Sequence, residues 1–178
     1  MKYIFLCSLL FFSSYTFAKA SFDLILEAGS VWQHRNDTQI PSIGGTRLAL
    51  DELDDGPFAH YRVEGIMRLN KNHAVRGLYA PLDIKVTGRP TRAIIFDGKT
   101  FNDTEDLTVN YRFNSYRLTY FYGFLGFGED QINLGITLKI RDAETKFSQG
   151  ATVESYSNVG FVPLFYFEYQ KSLSSSWL

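Results

Sequence analysis

Residues 131–141 read Gln131-Ile-Asn-Leu-Gly-Ile-Thr-Leu-Lys-Ile-Arg141. Ile132, Leu134, Ile136, Leu138 and Ile140 take every second position, and Gln131, Asn133, Gly135, Thr137, Lys139 and Arg141 take the others. Side chains alternate between the two faces of a strand, whereas a helix brings them round every ~3.6 residues, so a period of two specifies a strand. One face of it is apolar and the other polar. Its length matches the ~9–11 residues of a tilted strand crossing a bilayer.

The same grammar recurs on both sides. In 23–33, Leu24, Leu26, Ala28 and Trp32 face one way, and Glu27 and Gln33 the other. In 58–69, Tyr61, Val63, Met67 and Leu69 oppose Arg62, Glu64 and Arg68. A strand over 73–84 carries Arg76, and 159–169 sets Phe161, Phe165, Phe167 and Tyr169 opposite Glu168. The segment 108–125 is long, and its apolar set changes phase near Asn114-Ser115. Val109, Tyr111 and Phe113 precede that point; Tyr116, Leu118, Tyr120 and Tyr122 follow it. Either a β-bulge or a strand leaving the bilayer for an aqueous extension produces this pattern.

Connection lengths orient the sheet. The short ones, 70–72, 126–130 and 170–176, alternate with the long ones, 34–57, 85–107 and 142–158. That is the asymmetry of periplasmic turns and extracellular loops in a membrane barrel. Tyr120, Phe121, Tyr122 and Phe124 crowd one strand end before a short turn, and Tyr166, Phe167 and Tyr169 another. Amphipathic rings suit the boundary between hydrocarbon and water. The apolar face is therefore expected against lipid, in contrast to a soluble periplasmic ligand-binding barrel, which turns it inward. Within the long loops, 46–50 reads as a short strand and 93–101 as a hairpin around Asp97-Gly98, a type I′ dipeptide.

The N-terminus agrees with export. Met1-Lys2 precedes an almost wholly apolar run, 3–12, and a Ser/Thr-rich stretch leads to Ala18-Lys19-Ala20, the layout of a secretory signal over 1–20. Cys7, the only cysteine, falls inside it, so 21–178 offers no disulfide. Without Lys2 and Lys19 the basic residues drop from 18 to 16 against 19 acids, a net charge of −3. No basic excess points to nucleic acid. A mean hydropathy of −0.13 and the lack of a further long apolar run argue against a helical membrane protein.

The expected fold is thus all-β, an antiparallel up-and-down transmembrane β-barrel over 21–178. Six strands are readable, whereas single-chain bacterial barrels have at least eight, because an open edge leaves backbone groups unsatisfied in lipid. Trp177-Leu178 reads as the opening of a seventh strand, so a fragment lacking about two strands is expected, with a small irregular barrel or an assembly of chains as alternatives. In its leader, its alternating strands and its loop asymmetry the chain resembles, over 22–169, the small bacterial outer-membrane β-barrel superfamily of the OmpX and OmpW types. The stretch Asn110-Tyr-Arg-Phe-Asn-Ser-Tyr-Arg-Leu-Thr-Tyr120 has the look of a family signature. The resemblance implies an eight-stranded fold in the Gram-negative outer membrane, and a superfamily that spans adhesion-related proteins, narrow pores and lipid A-modifying enzymes.

The expected inward charges are Glu27, Arg62, Glu64, Arg68, Arg76, Arg117, Lys139, Arg141 and Glu168, which either pair as a polar plug or leave a binding site. Arg112, Arg117, Lys139 and Arg141 stand out because no acid in the two strand cores neutralises them, which makes them a candidate anion site. His34, His60 and His73 are far apart in sequence and carry no nucleophile motif such as G-x-S-x-G, so no catalytic residue is assigned. The acidic runs 51–55 and 103–106 lack EF-hand spacing, and neither a metal nor a cofactor is expected. The expected partners are outer-membrane lipid and lipopolysaccharide, with an extracellular ligand at the long loops. A non-catalytic structural, adhesive or ligand-binding role leads; a small-solute channel and a lipid A-modifying rim enzyme are the alternatives.

Overall fold

The computed structural model describes residues 20–127 and 130–171. The leader expected over 1–20, apart from Ala20, and the strand opening expected at Trp177-Leu178 lie outside the described residues. The six expected strands are all present: β1 (Ser21–Val31), β4 (Phe58–Arg68), β5 (His73–Ala80) continued by β6 (Asp83–Gly88), β9 (Leu107–Gly123), β10 (Gln131–Gln149) and β11 (Thr152–Gln170). They form one antiparallel meander, β1-β4-β5-β9-β10-β11, with β6 also on β9. Two small ribbons lie between them, β2 (Asp37–Thr38) with β3 (Leu48–Ala49), and β7 (Ile94–Phe96) with β8 (Lys99–Phe101). A 3-10 turn, Leu50–Glu52, follows β3.

The ladders are unbroken. β10 pairs with β9 from Asn133↔Gly123 to Ser148↔Thr108, and with β11 from Gln131↔Gln170 to Gln149↔Thr152. No residue of β9 is bulged, so the change at Asn114-Ser115 is one of chemistry and not of backbone. Odd-numbered residues of β9 point to the same face throughout: Leu107 and Val109 are buried there above the change, and Ser115, Thr119 and Phe121 below it. The segment 142–158, expected as a long loop, is instead the upper half of the β10–β11 hairpin, closed by the turn at Gly150, whose φ is +55°. Above Arg141 the apolar residues fall in the opposite phase to Ile132–Ile140, which hides the strand from a reading of hydropathy.

β5 and β6 are likewise one course along β9, interrupted only at Pro81-Leu82. Leu82 still exchanges both backbone bonds with Phe113, at 3.2 and 2.7 Å. Proline has no N–H to donate. Pairing with β4 ends at Tyr79, and β4 and β6 part above it. The expected hairpin at 93–101 is found, with Asp97 and Gly98 at φ +45° and +80°, both positive as a type I′ turn requires.

The sheet is strongly curled. β5 and β11 are three strand spacings apart, about 14 Å if flat, yet Arg76 Nη2 on β5 lies 3.5 Å from Glu168 Oε1 on β11. Residues of β1 and β11, the two edge strands, line the same cavity of about 640 Å³. Among the described residues no ladder joins those edges. Gly135 lets the curl tighten, because a Cβ there would strike the Tyr120 carbonyl and Phe121.

Two different interiors result. In the upper half the inner face is an apolar core: Val86, Val109 and Phe147 pack against Leu48, Leu50, Ile94, Phe96 and Phe101 from the connections. Phe96 stacks on Phe147 with centroids 4.0 Å apart and planes within 5°. In the lower half the inner face is mainly polar and charged around a small apolar cluster of Ile66, Ala74 and Phe121, and most apolar side chains point outward to the surface. Leu24, Leu26, Leu118, Ile136, Phe161 and Phe165 are all more than half exposed.

Candidate functional site

Strand register places all nine expected inward charges on the concave face, because Glu27↔Arg62, Lys139↔Arg117 and Asn133↔Glu168 are same-face partners on adjoining strands. Most are paired. Arg62 Nη2 lies 2.5 Å from Glu27 Oε1, and Arg68 pairs with Asp23, an acid the sequence reading did not single out. Arg76 is the hub. It lies 3.3 Å from Glu64 and 3.5 Å from Glu168, and it donates to the Tyr166 hydroxyl at 2.7 Å. Its guanidinium also sits 5.3 Å from the Phe121 ring centroid and 5.2 Å from that of Tyr166. Glu168 accepts further bonds from Asn133 at 2.8 Å and from Tyr166 at 2.7 Å.

Asn133, fully buried, and Tyr166 therefore belong to the hub; Tyr166, expected in the interfacial aromatic group, is turned inward by its parity with Glu168. The signal available was parity: Asn133 shares the phase of Lys139, and Tyr166 that of Glu168. Asp23 likewise shares the phase of Glu27.

The cationic group separates into two parts. Arg112 is five residues from Arg117 and so faces the opposite side of β9. There it pairs with Asp142 at 3.4 Å and Glu144 at 2.9 Å on β10. Arg112 is thus not a member of the expected anion site. The acids that neutralise it fall in 142–158, where the hydropathy pattern has the look of a loop, so its charge is unbalanced in the sequence alone.

Arg117, Lys139 and Arg141 do come together on the inner face. Lys139 and Arg117 are direct cross-strand partners, and Arg141 is two residues further up β10. Among the described residues none of the three has a carboxylate within 4.0 Å. Their contacts are neutral: Arg117 Nε to Ser115 Oγ at 3.2 Å, Arg141 Nη2 to Asn158 Oδ1 at 2.6 Å, and Lys139 Nζ 5.6 Å from the Phe113 ring centroid.

The histidines are arranged differently from their spacing in sequence. His34 and His60 line one cleft of about 470 Å³ together with Trp32 and Tyr111. His60 Nδ1 lies 3.2 Å from the Pro81 carbonyl. His73 is on the outer face at the lower rim, against Tyr120 and Tyr122. The acidic runs are tied into the connections: Arg92 lies 3.5 Å from Glu52, and Arg89 3.7 Å from Asp106. Asp37 pairs with Arg47 and Arg35, and hydrogen bonds from those two hold its carboxyl below the usual carboxylate range. Burial pushes the Tyr111 hydroxyl up. No group of three or more metal-ligating side chains occurs among the described residues.

Comparison of the chain with family models, with curated proteins and with solved structures gave no match. The geometry alone carries the functional reading.

Proposed function

We propose that the chain is an outer-membrane protein whose six long strands stand in lipid below Asn114 and rise into water above it. The observation that carries this reading is the inversion of polarity along strands of unbroken register. On β10, Leu134, Ile136, Leu138 and Ile140 are exposed on the outer face. The next outward residues, Asp142, Glu144 and Lys146, are charged. On β11 the outward run Phe161, Phe165, Phe167 and Tyr169 is exposed as well. In water such a continuous apolar band would be far larger than a soluble monomer tolerates. From Ile132 to Ile140 it covers about 27 Å along the strand, or ~20 Å of height at a tilt of about 40°, close to the apolar belt of outer-membrane barrels.

The lower rim supports the same placement. Tyr120, Tyr122, Phe124, His73 and Tyr169 gather where the short connections begin, as an interfacial belt does. Among the described residues the outer edges of β1 and β11 carry no partner strand, and in lipid, which satisfies no backbone donor or acceptor, this reading has those edges paired. Kinship with the small outer-membrane barrels is proposed on this architecture. The role proposed is non-catalytic: a structural, adhesive or ligand-binding protein whose apolar-cored cap faces outward. The Arg76 bridge across the curl and the apolar core above it favour a filled interior over a conducting one.

Expression in a Gram-negative host followed by fractionation tests the reading. Recovery in the outer-membrane fraction, resistant to a urea wash, is expected. Recovery as a soluble periplasmic protein would overturn it.

A further inference from the structure

We infer that the inner face at the junction of the two halves binds a small organic anion, with its charged head on Arg141, in the field of the neighbouring Lys139 and Arg117, and its apolar body on Tyr111, Phe113 and Tyr156. This deepens the ligand-binding role proposed above and rests on that reading only for the direction from which the ligand enters.

The three cations are grouped by register, and their heads lean the same way. Arg117 reaches up to Ser115, which is the partner of Arg141. Lys139 reaches up to the Phe113 ring, and Arg141 to Asn158. Phe113 and Asn158 are both partners of Ala143, one on each side of β10. Three positive heads therefore gather within two successive inward rungs. Like charges at such separation repel, and the cost falls when an anion lies between them. The other inward arginines, Arg62, Arg68 and Arg76, already have carboxylate partners on neighbouring strands. Only at this rung does the positive charge lack one among the described residues. Arg141 also has donor capacity left, because its Nε is buried without a hydrogen-bond partner.

The surroundings select for more than charge. A cavity of about 300 Å³ opens at this rung, with Arg141, the one cation of the three that lines it, and Asn158 at its base and Tyr111, Phe113, Tyr156 and Ile40 as its walls; Glu144 also lines it, its carboxylate paired with Arg112 at 2.9 Å. That is the lower end of the size of small-molecule sites, which are apolar with a few placed polar groups. Tyr156, in the part of β11 placed above the bilayer, is 43% exposed, so the cavity is open to water from that half. An inorganic ion would meet the arginines and leave the aromatic walls uncovered. A carboxylate on a flat or short apolar body covers both, and a bidentate carboxylate matches the planar guanidinium fork.

The test uses the whole chain folded in non-ionic detergent, titrated calorimetrically with benzoate, with its neutral isostere benzamide, and with inorganic phosphate. Benzoate is expected to bind saturably, at least tenfold more tightly than either benzamide or phosphate. Arg141→Gln should weaken benzoate at least tenfold. Asn158→Asp, which places an acid beside Arg141 without removing it, should do the same and guards against a folding defect in the first variant. Tyr156→Ala should weaken benzoate severalfold and leave phosphate unchanged. Equal binding of benzoate and benzamide, or unchanged benzoate binding in Asn158→Asp, would overturn the charged head. Phosphate binding as tightly as benzoate would overturn the aromatic body. Flotation of the same preparation with phospholipid vesicles reports separately on membrane insertion, so either reading can fail without the other.

Discussion

The lower and upper halves of the β9–β10 pair share one unbroken register. Their side chains are nonetheless inverted. Below Ser115 and Arg141 the inner face carries Thr119, Thr137, Lys139 and Arg117, and the outer face carries Leu118, Tyr120, Ile136 and Leu138. Above, Val109 and Phe147 are completely buried on the inner face, while Arg112, Asp142 and Glu144 pair on the outer one. Backbone hydrogen bonding is indifferent to which side is apolar. What each half requires is that its apolar side meet something other than water. The upper half supplies its own cover in the β7–β8 hairpin and the turn after β3; the lower half leaves its apolar side outward, and we assign lipid to it.

Truncation should separate the halves most sharply. Phe147→Ala removes a fully buried ring stacked on Phe96, and a loss of about 3–5 kcal/mol is expected for such a core deletion. Ile136→Ala, at a position 57% exposed, should change detergent-state stability by roughly 0.5 kcal/mol or less, as exposed sites do. Urea unfolding of the two variants in the same detergent checks this, and equal losses would contradict two distinct interiors.

Charge insertion should give the next largest contrast. In vesicles, Ile136→Arg is expected to cost about 2–4 kcal/mol, the penalty for a cation on the lipid face near mid-bilayer. Ser148→Arg, on the same face of the same strand but above the change, should stay within about 0.5 kcal/mol. Folding yields into vesicles read both.

The smallest effect expected is from acid. Hydrogen bonds from Arg47 and Arg35 lower the Asp37 carboxyl, so its contribution is present above the unfolded carboxylate value and fades as pH falls through the lowered folded one. Amide exchange in the β2–β3 ribbon should therefore quicken under strong acid more than in the lower half of β10. Removal of the acid dependence by Asp37→Asn is the expected control.

The lower half was legible in the sequence because its apolar residues alternate without interruption, as in Ile132 to Ile140. The upper half was not, for a definite reason. Its inward set on β10 includes Ala143, Thr145 and Gln149 around a single Phe147, and its cover comes from isolated residues such as Leu48, Ile94 and Phe101, none of which makes a periodic run. Inward charges were readable from parity alone, Arg76 and Glu168 among them. Their convergence was not, since the bridge from β5 to β11 depends on how tightly the sheet curls. Arg112 was grouped with Arg117 by height on the strand, while parity puts it on the opposite face with Asp142.

The inversion itself is open to direct measurement, because residues 21–178 contain no cysteine and accept single labels. Cysteines placed in turn at 134, 136, 138, 140, 142, 144 and 146 would carry a fluorophore on the outer face of β10 in vesicles. Quenching by a lipid-borne quencher is predicted from 134 to 140, and by a water-soluble quencher from 142 to 146. Uniform access of the water-soluble quencher along all seven positions would contradict a strand that passes from lipid into water.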